Sequence, residues 1–87
     1  LHVLQVLEGI SRTKNCVCRV EVPAQNGITY GTGFLIAPDL VLTNYHVVEA
    51  LHIDGQIVEH VKIRFDFEVE AGGNVVHPGT EYKLHRD

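Results

Sequence analysis

One segment of strict alternation, Val61 to Glu70, constrains the fold of this chain more than any other feature. Every second position in it is apolar and every position between is charged. The apolar positions are Val61, Ile63, Phe65, Phe67 and Val69. Because side chains of a strand point alternately to opposite faces, this pattern predicts a half-buried antiparallel strand. A helical stripe would need apolar residues three and four positions apart.

A second alternating segment runs from Cys16 to Val22 and predicts another strand. Its apolar face would carry both cysteines with Val20 and Val22, and Pro23 is expected to end it. The Asn-Gly pair at residues 26–27 is a strong hairpin signal. The chain should therefore turn back directly into the next strand.

Turn residues divide the rest of the second half into short pieces. Residues 52–60 are predicted to form a surface loop with a turn at Asp54-Gly55. Turns at 72–74 and 78–79 separate two short predicted strands, Val75 to His77 and Thr80 to Leu84. Short strands with frequent turns indicate a small barrel or sandwich.

The first fifteen residues differ from this pattern. Val3, Val6, Leu7 and Ile10 recur at three- and four-residue spacing, which predicts a short amphipathic helix over residues 1–10. Such a helix would pack over one end of the β-structure, and docking of a partner is the alternative. Polar residues 11–15 then form a connector. The predicted organisation is an N-terminal helix and connector, 1–15, and a β-domain, 16–87.

Two short apolar runs, Phe34 to Ala37 and Leu40 to Leu42, predict a pair of strands joined by a Pro38-Asp39 turn. His46 follows where the second strand gives way to a helical turn or two, Val47 to Leu51. A packed hairpin would hold this imidazole in place, as a general base requires.

These residues resemble the first-barrel signature of trypsin-like (chymotrypsin-fold) serine peptidases. That signature has a Gly-x-Gly-Phe strand and a Thr-x-x-His ending, matched here by Gly31-Thr32-Gly33-Phe34 and Thr43-Asn44-Tyr45-His46. The chain is closest to bacterial trypsin-like modules found beside effector-associated domains. It is also similar to HtrA-type peptidases, a family of chaperone-proteases that would need a PDZ domain downstream. The resemblance covers residues 16–87.

The resemblance implies an all-β fold, an antiparallel six-stranded half-barrel that forms the N-terminal half of a double-barrel enzyme. The chain begins with leucine, and we expect it to be a piece of a longer protein. His46 would be the general base of a Ser-His-Asp triad that hydrolyses peptide bonds in a polypeptide substrate. The missing C-terminal barrel would be the main partner, and self-association through the exposed face is a further expectation.

The chain offers no clear partner for His46. Ser11 is its single serine and lies in the polar connector, and the family's Gly-Asp-Ser-Gly-Gly pattern is absent. Asp39, Asp54 and Asp66 fall in a turn, a loop and a charged strand face. Asp87 has the best position by order, but the family's acid is expected beyond residue 87. The 87 residues alone should therefore lack peptidase activity.

Charge and cysteine usage restrict the kinds of partner and the cell compartment that the protein can have. Seven basic and eleven acidic residues give a formal charge of −4 without a basic run, which argues against a nucleic-acid partner. No apolar run approaches the ~18 residues of a membrane span. Cys16 and Cys18 would lie ~6.6 Å apart along a strand, near the upper limit for a disulfide. Free thiols favour a reducing compartment, the cytoplasm.

Metal binding and cofactors are not expected. His46, His52 and His60 lack the spacing of a zinc site, which needs four converging ligands. The carboxylates of Asp66, Glu68 and Glu70 would spread over ~13 Å of strand and form a solvated face.

The sequence leaves two functions open. The chain is either half of a serine peptidase with His46 as its catalytic residue, or a non-catalytic trypsin-like module that docks a protein partner.

Overall fold

The computed structural model describes residues 2–25, 27–53 and 56–85. Within these residues it has ten short strands and one helix. The elements are β1 (His2–Gln5), β2 (Val17–Ala24), β3 (Gly27–Ala37), β4 (Leu40–Thr43), α1 (Tyr45–Leu51), β5 (His52–Ile53), β6 (Gln56–Ile57), β7 (Lys62–Phe65), β8 (Glu68–Val69), β9 (Val75–His77) and β10 (Thr80–Lys83).

Six of these strands form one antiparallel sheet in the order β1-β4-β3-β2-β7-β10. The predicted all-β class and six-stranded antiparallel sheet are confirmed. The order is that of an open sheet, whose two ends touch at a single bridge between Val6 and Leu84. Beside it, Leu7 N donates to Lys83 O at 2.8 Å and His85 N donates to Gln5 O at 2.7 Å.

The predicted N-terminal helix is wrong, because residues 2–5 form an edge strand. β1 pairs with β4 from His2↔Thr43 to Gln5↔Leu40. Leu4 and Val6 are buried, whereas Val3 and Leu7 are exposed, so the buried positions follow a period of two. A helix of ten residues is marginal in water. The free edge of β4 instead satisfies the backbone groups of β1.

The core lies on the inner face of the sheet and is closed over by α1. Alternation predicted much of it: Cys18, Val20 and Val22 on β2 are buried, as are Ile63 and Phe65 on β7. The core as a whole consists of Leu4, Val6, Ile10, Cys18, Val20, Val22, Val41, Val47, Leu51, Val61, Ile63, Phe65 and Leu84. The prediction fails at Cys16, which precedes β2 and is exposed. Pro23 does not end β2, which continues to Ala24.

The long alternating segment 61–70 is not one strand, which corrects the clearest prediction from the sequence. It breaks at Asp66, whose φ is 61°, so that β7 ends at Phe65 and β8 begins at Glu68. The pairing of β7 with β2 ends at Phe65↔Cys18, next to Val17, the first residue of β2. β8 pairs instead with β9 in a separate two-stranded ribbon.

The connections between strands follow the sequence in part. β2 and β3 form the expected hairpin, paired from Val17↔Phe34 to Ala24↔Gly27. The predicted loop 52–60 contains a small antiparallel ribbon, β5 with β6, and its Asp54-Gly55 turn lies outside the described residues. The strands predicted at 75–77 and 80–84 are confirmed as β9 and β10. Nowhere in the described ranges is a helix long and apolar enough to cross a membrane.

Candidate active site around His46

The helix that carries His46 begins directly after β4, and Asn44 forms its N-cap. Asn44 has an extended backbone, with φ −96° and ψ 168°, and its side-chain oxygen accepts a hydrogen bond from Val47 N at 3.0 Å. This bond satisfies one of the amide groups that the first helical turn leaves unpaired. The polar residue between Thr43 and Tyr45 therefore sets where the strand stops and the helix starts.

Two glycines of β3 let neighbouring elements approach closely. A Cβ at Gly31 would overlap Cγ2 of Val47 on α1. A Cβ at Gly33 would lie 2.6 Å from Val41 Cγ1 and 3.0 Å from Cys18 Sγ. The Gly-x-Gly spacing therefore serves packing: one glycine seats the helix on the sheet and the other seats β4 and β2 against β3.

The end of β4 is fixed to β3 by a side chain. Thr43 is only 2% exposed, and its hydroxyl donates to Thr32 O at 2.8 Å. Val47 and Leu51 anchor the other side of α1 in the core. The start of the helix is thus held by a side-chain hydrogen bond, a cap and two buried aliphatic residues.

His46 itself projects from this fixed point into solvent. His46 is exposed to solvent, and its ring meets the ring of Tyr45 edge-on, with 6.0 Å between centroids and 61° between planes. Within the described residues its imidazole makes no hydrogen bond. A cavity of about 130 Å³ opens beside it, lined among others by Tyr30, Gly31 and Asn44. The ring is therefore free to meet a group that approaches from outside.

The described candidates for a triad partner are engaged elsewhere. Ser11 is exposed in the connector. Asp39 occupies the β3–β4 turn, where its carboxylate oxygen Oδ2 accepts from Gln5 Nε2 at 3.4 Å. Asp66 Oδ1 accepts from Thr13 Oγ1 and from Lys14 N, each at 3.0 Å.

These three residues make no hydrogen bond with His46. Asp54 and Asp87 lie outside the described residues. The structure therefore brings none of Ser11, Asp39 and Asp66 to His46.

Both cysteines are free, as predicted. Burial raises the pKa of the Cys18 thiol to about 11, against a smaller lowering by a hydrogen bond from the Gly33 backbone. The thiol therefore stays protonated near neutrality and serves as a packing group, because the thiolate is the nucleophilic form. Cys16 is solvent-exposed and, like Cys18, makes no contact with His46 in the structure.

The remaining histidines and the acidic run are separate surface features. His52 Nδ1 lies 2.8 Å from Val48 O, and the ring of His60 lies 3.9 Å from Glu59. Glu68 forms an exposed pair with Lys14 at 3.4 Å. Across residues 2–25, 27–53 and 56–85, no three His, Cys, Asp or Glu side chains are grouped as metal ligands.

Sequence reasoning missed an ionic network on the outer face of the sheet. Glu21, only 7% exposed, accepts from Arg64 Nε and from Arg19 Nε, both at 2.9 Å. Arg64 also donates to Glu81 at 2.6 Å. Burial alone would raise the pKa of Glu21, but the hydrogen bonds from Arg64 and Arg19 lower it below its usual 4.5. Alternation had put these side chains on the charged faces of their strands, and only the register of β2 on β7 brings them together.

Comparison with known proteins gives one relative and no assigned activity. The chain is 35% identical over 83 residues to the uncharacterized protein y4fB of Sinorhizobium fredii (strain NBRC 101917 / NGR234). The match covers 93% of this chain and 12% of the relative, so the chain spans a small part of that protein. No protein-family model and no solved structure matches the chain.

Proposed function

We propose that this chain is the N-terminal barrel of a trypsin-like serine peptidase, with His46 as general base. The substrate would be a polypeptide and the reaction hydrolysis of its peptide bonds by acyl transfer. The motif is closest to the bacterial trypsin-like modules named above. A second barrel, contributed by polypeptide outside these residues, would complete the enzyme.

One observation carries the proposal. Four other residues of the motif have packing or capping tasks: Gly31 and Gly33 allow close approach, Thr43 bonds to β3 and Asn44 caps α1. His46 is held by the backbone around it while its ring stays exposed. A buried structural histidine would be expected to use its ring nitrogens inside the fold.

The chemistry follows from where the imidazole lies. Nε2 would take the proton of an attacking serine hydroxyl and later give it to the leaving amine, while a carboxylate on Nδ1–H would fix the tautomer. Serine and carboxylate must both reach His46 from outside the described residues. Its exposure and the adjoining cavity leave that approach open.

Barrel closure is part of the same proposal. The ends of the six-stranded sheet already touch between Val6 and Leu84, with two further main-chain bonds beside that bridge. Continued curvature of the sheet would make this contact the seam of a barrel. Closure removes the free edges that an open sheet exposes.

Activity of a longer polypeptide from the same reading frame tests the proposal. We expect it to hydrolyse casein or a peptide ester, and His46→Ala to lower turnover by a factor on the order of 10⁴ or more. His77→Ala replaces an exposed histidine on β9 and should leave turnover unchanged. Turnover that survives His46→Ala would refute the assignment. The 87 residues alone should show no turnover above buffer.

A second candidate, a non-catalytic docking module, is favoured by a specific surface feature. An apolar row crosses the outer face of four strands through the registered pairs Val3↔Leu42, Leu42↔Phe34 and Phe34↔Val17. Val3, Phe34 and Val17 are 52%, 49% and 43% exposed. A longer polypeptide without peptidase activity that loses a protein partner on Phe34→Lys would favour this function. Association of the chain with itself through the row would appear as concentration-dependent light scattering.

A further inference from the structure

Tyr45 lies where it can restrict the motion of His46. The two rings meet edge-on at 6.0 Å between centroids. Because the imidazole makes no hydrogen bond within the described residues, this ring contact is its main restraint apart from the backbone. An exposed side chain otherwise moves among staggered χ1 rotamers on a timescale of picoseconds to nanoseconds.

Tyr45 is itself restrained by two groups on different elements. The ring of His2, on β1, lies 6.0 Å from the tyrosine ring at 43° between planes. Glu49, four residues along α1, hydrogen-bonds the phenol and so raises the pKa of Tyr45 above its usual 10.0. An i,i+4 pair of this kind lies on one face of a helix. Tyr45 thus joins the N-terminal strand to the catalytic candidate although its side chain is 58% exposed.

The exposure of Tyr45 has no other structural explanation in the described residues. Val47 and Leu51 are the residues of α1 that enter the core, and Asn44 supplies its cap. The tyrosine ring lies instead against the edge of the His46 imidazole.

We propose that Tyr45 is a positioning residue for His46, held by Glu49 and His2 so that its ring favours one orientation of the imidazole. The kinetic consequence rests on the proposed peptidase function, whereas the conformational consequence does not. An edge-to-face aromatic contact of typical strength biases two rotamers by a factor of about 2 to 10. The expected kinetic loss has the same size, because only the population of the competent orientation changes.

Nuclear magnetic resonance of the chain tests the conformational claim. Coupling constants that report χ1 of His46 should show one dominant rotamer in the native chain. Tyr45→Ala should give averaged couplings. Tyr45→Phe keeps the ring but loses the phenol that Glu49 holds, so it should fall between the two, as should Glu49→Gln. Phe34→Ala, which removes an exposed ring elsewhere on the sheet, is the matched control and should leave His46 unchanged. Averaged couplings in the native chain, or an unchanged rotamer in Tyr45→Ala, would overturn the proposal.

Kinetics of the longer polypeptide separate this proposal from the proposed function. Tyr45→Ala should lower kcat about 2- to 10-fold with KM unchanged, and Tyr45→Phe, which keeps the ring but not the phenol, should lose less. A rise in KM alone would overturn a positioning role. If the longer polypeptide is inactive, the peptidase assignment fails, while the rotamer measurement still decides whether Tyr45 orients His46.

Discussion

Two regions with similar apolar patterns in the sequence differ in burial, because one packs into the core and the other is exposed to solvent. The segment β3–β4–α1 pairs along its length and seats Val41, Val47 and Leu51 in the core. Residues 66–79, here called the arm, carry equally regular apolar residues, yet Val69, Val75 and Val76 are 49%, 57% and 58% exposed. The arm pairs mainly with itself, through β8 and β9.

The difference shows that alternation predicts a strand but does not predict whether a partner covers it. β7 is buried as far as it pairs with β2, and the chain turns away at Asp66, next to the start of β2. Gly79, at φ 77°, packs against the backbone of Asp66 at this kink. The arm therefore leaves the sheet at a defined point and keeps Val69, Val75 and Val76 in solvent.

The largest expected change in folding free energy comes from comparing two positions of the same alternating segment. Phe65→Ala should cost about 3–5 kcal/mol of folding free energy, because Phe65 is 1% exposed in the core. Val69→Ala should change it by less than about 0.5 kcal/mol. Urea unfolding followed by circular dichroism measures both. Equal losses would mean that the arm is buried in solution.

A second test uses glycines and has a smaller expected effect. Gly33→Ala should cost about 1–3 kcal/mol, since the new Cβ would press on Val41 and Cys18. Gly9 has open space around it and ordinary φ, so Gly9→Ala is the matched control and should be neutral or slightly stabilising. A stable Gly33→Ala variant would contradict the close packing of β3.

The helix cap gives a third, smaller effect. Asn44→Ala should lower stability by about 1 kcal/mol, because Val47 N loses its acceptor. Asn44→Asp keeps an acceptor and should retain most of it. Asn74 bonds Glu70 on the exposed arm, and Asn74→Ala should cost about 0.5 kcal/mol or less. Equal losses at 44 and 74 would remove the distinction between the two regions.

The smallest effect concerns acid pH. Glu21 has a pKa lowered by its arginines, so its stabilisation is present above pH 4.5 and is lost as pH falls through the folded-state value. Thermal unfolding should show this loss as a fall in Tm at acid pH in the native chain. In Glu21→Gln, Tm should depend less on pH over the same range. Glu68, in an exposed pair on the arm, should give no such change as Glu68→Gln.

The sequence predicts the strands and the helix around His46 well because its signals are local. Turn residues, two glycines and a cap act within eighteen residues, 31–48, and need no knowledge of distant partners. The N-terminus shows the opposite case: Val3, Val6 and Leu7 suit a helix by spacing, but the open edge of β4 decides the outcome. The predictions that Cys16 lies on a buried strand face and that the strand continues through Asp66 fail for the same reason. The limits of β2 cannot be predicted from alternation. The Glu21 network depends on cross-strand register, which one sequence does not encode locally.

Covalent labelling of the longer polypeptide with a fluorophosphonate tests the role of His46 most directly. Such reagents react with a serine hydroxyl that a general base has activated. We predict labelling of a serine outside residues 1–87 that disappears in His46→Ala and persists in His77→Ala. No labelling of the native polypeptide, or labelling that His46→Ala leaves unchanged, would contradict the account.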